Sequence, residues 1–570
     1  MRATVDNAYL EILTTIIRFV DRTAVVRDGD SRQIASAAAL RRSAAEFAHV
    51  LLRCGTPRAE TSRGLMRALV PACVALTLAA SEEQAQRTLP ANARGFAGDQ
   101  AADTGETVII DNVTLISPER SRPLLHATIL IRDGRIVGLD GRATAGRKAH
   151  HIDGTGRFLI PGLIDSHVHV DHSAALDDDA IAAHPELWAE YRAQVPRAYL
   201  AFGFTSVVDL DLRPGSRAWF DSTPLHPRLY HCGEGIRVAG GYGAMRVPDA
   251  SSPAFPNLVF EPLAAKDWPA ELNAAVYTPA HAAERVASTG AICAKAFVEP
   301  GFGVFDWPYL HTATLRSLKS EAIQKKLLLV AHANGVESWR IAIDARADVI
   351  AHGLWIWPGP PTSANPPPAV RQAIADAASA RIFVQPTMQT VAGEKSMLNP
   401  ALLHDDRMSF ALPSSVLAYL RSSQGVADRK KLLTEYERAA PAPGFSTVLT
   451  AFVQRTRATF SLMLQQHIAL ILGSDTPAGD GFGNPPGLNG RLEIQAWADA
   501  GAPLSLILRA ATLENARALG LSSEIGSIEV GKRADLVLLR RNPLRSVDAY
   551  DTIEAVVING RMLSRESLRP

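Results

Sequence analysis

Cysteine is scarce in this chain of 570 residues: four occur, Cys54, Cys73, Cys232 and Cys293, and no two form a Cys-x-x-Cys pair. That argues against a thiolate zinc site and against a disulfide framework of the kind that holds small secreted domains. Net charge is lacking too. Lysine and arginine number 59 against 58 acidic residues, a formal charge of +1, so nothing points to nucleic acid or an anionic membrane as partner. Aromatic residues make up only 6%. No internal repeat is visible, and no apolar run is long enough for a membrane span. What remains is 47% hydrophobic and 21% charged, the composition of an ordinary soluble enzyme. The length exceeds one ordinary domain and leaves room for a large core with accessories.

One segment reads as an address. From Met66 the chain runs MRALVPACVALTLAASEEQAQ: one arginine, a short apolar run, then small and polar residues, the shape of a secretory signal peptide over 66–81. The other reading is a buried helix of an N-terminal domain. With a signal at 66–81, residues 1–65 become an N-terminal extension explained by an over-extended start, although Leu10, Leu13, Ile16, Ile17 and Val20 recur at helical spacing. Residues 82–106 read as a disordered linker. The expected destination is periplasmic or secreted, and removal of the signal leaves Cys232 and Cys293 alone.

Residues 107–160 read as short strands with turns, Asp133-Gly134 marking a hairpin, and 521–570 have the same texture, with Asn559-Gly560 between apolar runs. The two pieces are expected to form one small composite β-sandwich built from both ends of the mature chain. Between them, over 161–520, apolar strands alternate with helical stretches. Strand candidates are FLIPGLIDSHV, TSVVDLD, RLYHC, AICAKAF, LLLVAHA, DVIAHG, RIFVQPT and ALILGSD. Eight strands with intervening helices suggest an α/β fold, a TIM-like (β/α)8 barrel, whose functional groups lie at the C-terminal strand ends. Two long connections, 233–280 and 388–466, the second helical in texture, are placed to cover the mouth or mediate assembly into a homo-oligomer.

The strand ends carry the chemistry. His167 and His169 close the first strand, Lys295 lies on the fourth, and His332, His352 and Asp475 end the fifth, sixth and eighth. Residues i and i+2 of a strand share a face, so the paired imidazoles point into one space. Imidazole nitrogens and a carboxylate suit Zn²⁺. Each has a bland alternative: a strand-end histidine is often a satisfied, partly buried residue, and Asp475 in GSDTP suits a turn or helix cap. Lys295 inside an apolar run is costly to bury charged, unless it pairs with a neighbour such as Glu299. The convergence of four histidines and an aspartate on one rim carries the inference.

PGLIDSHVH, the AHA and AHG histidines, GSDTP and the tail AATLENARALGLSSEIGSIEVGKRADLVLL together resemble the amidohydrolase superfamily, closest to its imidazolonepropionase-related and Xaa-Pro dipeptidase-like groups, over residues 107–563. The resemblance implies one or two divalent metal ions, with His167, His169 and Asp475 on the more buried metal, His332 and His352 on the second, and Lys295, carbamylated by CO2, bridging them. It implies hydrolysis of an amide C–N bond in a small-molecule or short-peptide substrate, a dipeptide or N-acyl amino acid, through a metal-bridged hydroxide, with Asp475 as general base and then acid.

The chain also departs from that pattern. Where prolidase-like relatives carry Gly-Gly-His-Gly it has GGYG, placing Tyr242 where it would hydrogen-bond a carbonyl oxygen. Arg246 in the same loop would hold a substrate carboxylate, or is a solvated surface charge. Trp307, Trp355 and Trp357 line a pocket or pack in the core. KAFVEPGFG lacks the Gly-Gly that follows the family lysine. Two other readings stay open. One is a mononuclear deaminase or imidazolonepropionase-like cyclic amide hydrolase, although the acid after the fifth-strand histidine, Glu337, comes five residues on. The other is a catalytically silent binding relative, against which the full candidate ligand set weighs.

Overall fold

The computed structural model describes residues 107–139, 149–244, 257–360, 362–439, 444–477 and 481–570. The extension, signal and linker readings over 1–106, and Arg246, lie outside the described residues.

Among the described residues, eighteen strands form three sheets. Five come from the first part of the described chain: β1 (Thr107–Leu115), β2 (Leu124–Arg132), β3 (Arg135–Leu139), β4 (Ala149–Asp153) and β5 (Phe158–Pro161). Ten follow in the middle: β6 (Leu163–Val168), β7 (Phe204–Asp209), β8 (Arg228–His231), β9 (Ile236–Arg237), β10 (Asn257–Leu258), β11 (Cys293–Phe297), β12 (Leu328–His332), β13 (Val349–Ala351), β14 (Phe383–Gln385) and β15 (Ala469–Leu470). The last three are β16 (Leu536–Leu539), β17 (Ile553–Ile558) and β18 (Arg561–Ser564).

The terminal strands join in one eight-stranded sheet, ordered β18-β17-β16-β5-β1-β2-β3 with β4 on β1. Alternating apolar residues on β1, β2, β16 and β17 bury one shared cluster containing Ile110, Ile129, Leu159, Leu536 and Val557. Asp133-Gly134 and Asn559-Gly560 both have two consecutive positive φ angles, 50° and 68°, 50° and 74°. That is the twist a two-residue hairpin needs, and they connect β2 to β3 and β17 to β18.

The middle strands are all parallel. β6-β7-β8 form one sheet and β10-β9-β11-β12-β13-β14-β15 another. With the helices between them, among these Pro185–Ala201, Thr312–Gln324, Val336–Asp344 and Pro368–Ser379, they make a mixed α/β fold. Among the described residues the two sheets do not close into one barrel ladder. Single backbone hydrogen bonds run between their edges: Ile292 N donates to His231 O (3.0 Å), Ser166 N to Leu472 O (3.1 Å) and Asp475 N to His167 O (2.7 Å).

FLIPGLIDSHV, expected as one strand, is two. β5 pairs with β16 of the terminal sheet and β6 with β7 of the parallel one. The break falls at Pro161-Gly162, where proline supplies no N–H and a Cβ on Gly162 would lie 2.0 Å from Thr205 Oγ1. The hinge is held by Gly162 N donating to Asp535 O (2.7 Å) and Leu163 N to Gly203 O (2.9 Å). A buried ion pair reinforces it, with Arg228 Nε 2.7 Å from Asp535 Oδ2. The sequence reading also had no pairing for the two remaining cysteines. Cys232 and Cys293 are disulfide-bonded across 61 residues, because the end of β8 meets the start of β11, where Ile292 N donates to His231 O.

The connection 388–466 is helical, carrying Met388–Ser396, Ser414–Arg421, Ser423–Ala439 and Phe445–Gln465. No helix among the described residues is long and apolar enough to cross a membrane.

Candidate metal centre

Parallel strands present their C-terminal ends to one side, and β6, β11, β12 and β13 each bring a side chain there. His167 lies on β6 and His169 one residue beyond it. The chain after β15 turns back toward them through Gly473, where a Cβ would sit 2.8 Å from that of His167. Asp165 clamps this turn: its carboxylate accepts from Ser474 Oγ (2.5 Å), Ser474 N (2.9 Å) and His167 N (3.3 Å). Asn489 Nδ2 adds bonds to Ser474 O (2.8 Å) and Thr476 Oγ1 (2.9 Å). The clamp holds Asp475 in the left-handed region, φ 57°. His352 (φ 82°) and Thr387 (φ 42°) share that region. A non-glycine residue there costs on the order of 1 kcal/mol or more, and three in one site mark a geometry imposed by its surroundings.

The side chains fall into two groups. His167 Nε2 and His169 Nε2 both face Asp475 Oδ1, at 3.0 and 3.1 Å. His352 Nε2 faces His332 Nδ1 at 2.9 Å. His352 Nδ1 lies 3.7 Å from Asp475 Oδ2, so the groups adjoin. Lys295 Nζ reaches His167 Nε2 at 3.5 Å, and among the described residues no carboxylate forms an ion pair with it. Glu299, weighed from sequence as its partner, turns instead to His332 Nε2, 3.3 Å from its Oε2.

Burial sets the protonation. It drives His167 down to about 3, with Lys295 adding to the effect and Asp475 opposing it. It likewise lowers His332, against Glu299, and His352, with His332 adding to it. His169 goes the other way: burial lowers it, but the Asp475 carboxylate outweighs that. Burial alone would push Asp475 up; the facing histidines hold it well below the usual carboxylate range. Burial lowers the Lys295 ammonium to about 7, outweighing the Asp475 and Asp211 carboxylates. Most of these imidazoles are therefore neutral, as metal ligands must be.

This donor set fits a divalent metal. One ligand atom each from His167, His352 and Asp475 lies within 4.8 Å of the others, His169 Nε2 lies beside them at 3.1 Å from Asp475 Oδ1, and His167 Nδ1 and His169 Nδ1 are buried without a partner. The convergence of nitrogen lone pairs and a carboxylate in a buried space is what a cation stabilises.

Tyr242 lies over His332, ring centroids 5.2 Å apart, and stacks on Trp307 at 5.7 Å. Of the other tryptophans, Trp355 touches His352 (5.7 Å), whereas Trp357 is in the main core beneath the Arg455 guanidinium. Glu337 is exposed and accepts from Tyr309 Oη at 2.8 Å, turned away from the histidines. Thr387, which meets His352 Nδ1 at 3.0 Å, and Asp165 were missed from sequence. A threonine after a strand has no signature, and Asp165 was read only as part of the motif around it.

Residues 333–563 match the model of the Amidohydrolase family. A stretch of 53 residues is 42% identical to the adenine deaminase of Deinococcus deserti, covering 9% of this chain and 10% of that one. The chain spans 10–14% of the length of the first curated relatives it matches. Among solved structures, a prolidase complexed with N-methylphosphonate-L-proline aligns with a TM-score of 0.57 at 21% identity, over 80% of this chain and 100% of that one. A putative prolidase from Bifidobacterium longum aligns with a TM-score of 0.55 at 20% identity, over 80% and 95%.

Proposed function

We propose that the chain is a member of the amidohydrolase superfamily, a reading supported by the family match over residues 333–563, and that it is a metal-dependent hydrolase of an amide C–N bond in a short peptide or N-acyl amino acid. The observation that carries this reading is the meeting of His167 and His169 Nε2 on Asp475 Oδ1, beside the facing pair His332 and His352. Eight of the ten parallel strands, β6, β7, β8, β11, β12, β13, β14 and β15, are taken as a (β/α)8 barrel, supported by the backbone bonds between the edges of the two parallel sheets.

His167, His169 and Asp475 would hold one zinc ion, and His332 and His352 a second. When bound, the metal would polarise the scissile carbonyl and lower the pKa of water to about 7. Asp475, ionised in its histidine surroundings, takes a proton from the attacking water and delivers it to the leaving amine. Tyr242, over His332, is placed to donate to the carbonyl oxygen as it becomes negative. Lys295 is assigned to carbamylation. An amine brought down to about 7 by burial, against the pull of the Asp475 and Asp211 carboxylates, adds to CO2, forming an N–C bond and losing a proton. The product is an anion where the unmodified residue is a cation.

A second reading, deamination of a heterocycle, draws on the adenine deaminase match. The outward turn of Glu337 weighs against it. A panel of dipeptides, N-acyl amino acids, lactones, aminopyrimidines and adenine separates the two. Release of an amino acid supports the amidase, and release of ammonia from a ring amine alone overturns it.

We also assign the protein to the periplasm or the exterior, a placement supported by the Cys232–Cys293 bond, since disulfides persist in oxidising compartments. A disulfide-linked peptide pair from protein trapped with alkylating agent in its native host supports it; two alkylated thiols contradict it.

A further inference from the structure

Each histidine of the facing pair has a partner on its outer nitrogen. His332 Nε2 lies 3.3 Å from Glu299 Oε2, with the Asn334 side-chain amide farther off at 3.5 Å, and His352 Nδ1 lies 3.0 Å from Thr387 Oγ1 and 3.7 Å from Asp475 Oδ2. Glu299 is itself fixed: it is 1% exposed, and its Oε1 accepts from Gly301 N (2.6 Å) and Phe302 N (2.5 Å). With Oε1 taken by two backbone donors, Oε2 is left to accept from the imidazole. A neutral imidazole carries one proton. If the Glu299 carboxylate holds it on Nε2, Nδ1 of His332 is a bare lone pair. If His352 gives its Nδ1 proton to Thr387, its Nε2 is bare as well. Two lone pairs then face each other at 2.9 Å, an arrangement that repels unless a cation lies against both.

We propose that Glu299 is a positioning residue that keeps the proton of His332 on Nε2 and so makes Nδ1 available, together with His352 Nε2, to the second metal ion. This rests on the metal-dependent reading above. Glu299 does not touch the ion; it selects which nitrogen of His332 does. A carboxylate behind a ligating histidine typically contributes 10–100-fold to metal affinity.

The decisive substitution is Glu299→Gln in the full chain. The amide oxygen can go on accepting from Gly301 and Phe302, which places the amide N–H₂ against His332 Nε2. The imidazole must then accept there and carry its proton on Nδ1, facing His352. Zinc per chain by elemental analysis and zinc affinity by chelator competition are compared in the parent, Glu299→Gln and Glu299→Asp. The expected result is two zinc ions in the parent, a second-site affinity weakened by about 10–100-fold in Gln, and an Asp variant that keeps most of it. Full second-site affinity in the Gln variant overturns the proposal, and so does equal loss in Gln and Asp with the fold intact. A parent that binds no metal overturns the metal-dependent reading itself, a failure distinct from a parent that binds two and a Gln variant that does the same. Should Glu299→Gln not fold, ¹⁵N spectra of histidine-labelled, zinc-loaded parent decide. One imidazole bound through Nδ1 with its proton on Nε2 is expected, and binding through Nε2 alone contradicts the proposal.

Discussion

His169 Nε2 lies 3.1 Å from Asp475 Oδ1 although 306 residues separate the two in the chain. The contact depends on the Asp165 carboxylate strapping Ser474 to the first parallel strand, so backbone and site chemistry are joined at one turn.

Asp475→Asn keeps the side-chain shape and an oxygen facing the histidines but removes the proton acceptor. It is expected to lower kcat by roughly 10²–10⁴-fold on whichever amide substrate the panel identifies. Steady-state kinetics check this, and activity within a few-fold of the parent contradicts the role.

Arg228 and Asp535 form an ion pair with side chains only 6% and 3% exposed, tying the parallel strand β8 to the chain that enters β16. Asp535→Ala removes this carboxylate from the buried guanidinium, which keeps its bond to Asn559 Oδ1. Removing one partner of such a pair costs about 3–5 kcal/mol, read from urea unfolding. A loss below about 1 kcal/mol would show that the junction does not depend on the pair.

His231 is held down to about 4, by burial first and by the Arg217 charge second, and its Nδ1 accepts from Gly233 N at 3.1 Å. Its folded-state pKa is depressed below the ordinary value of 6.5. The unfolded chain therefore takes up a proton that the folded chain refuses. Stability from this group is complete above pH 6.5 and falls as pH drops from 6.5 toward about 4. His231→Asn, whose amide oxygen can take the Gly233 bond, is expected to flatten the fall of the melting midpoint over that window. An unchanged slope contradicts the assignment.

Much of the fold was legible because apolar runs ending in a polar residue are what a buried parallel strand looks like. Each of the eight segments marked for the middle of the chain contains a strand. The histidines were legible for the same reason: a ligand at a strand end interrupts the apolar pattern where the run stops. Other features depend on neighbours that sequence does not order. Pro161-Gly162 divides one apolar run between two sheets because Thr205 approaches from β7. Cys232 and Cys293 meet because the end of β8 reaches the start of β11 in another sheet. Glu299 lies four residues after Lys295, which suggested an ion pair, but strand direction and the Gly301 and Phe302 amides send it to His332.

The most direct test is metal content. The protein is prepared with zinc and bicarbonate beside Lys295→Ala, and zinc per chain is measured in both by elemental analysis. About two ions in the parent and a marked loss in the variant are expected if His167, His169, His332, His352 and Asp475 form a binuclear centre bridged by a carbamylated Lys295. One ion in both proteins would contradict the bridging role of Lys295 and favour the mononuclear deaminase, and no metal in either would contradict the metal-dependent hydrolase altogether.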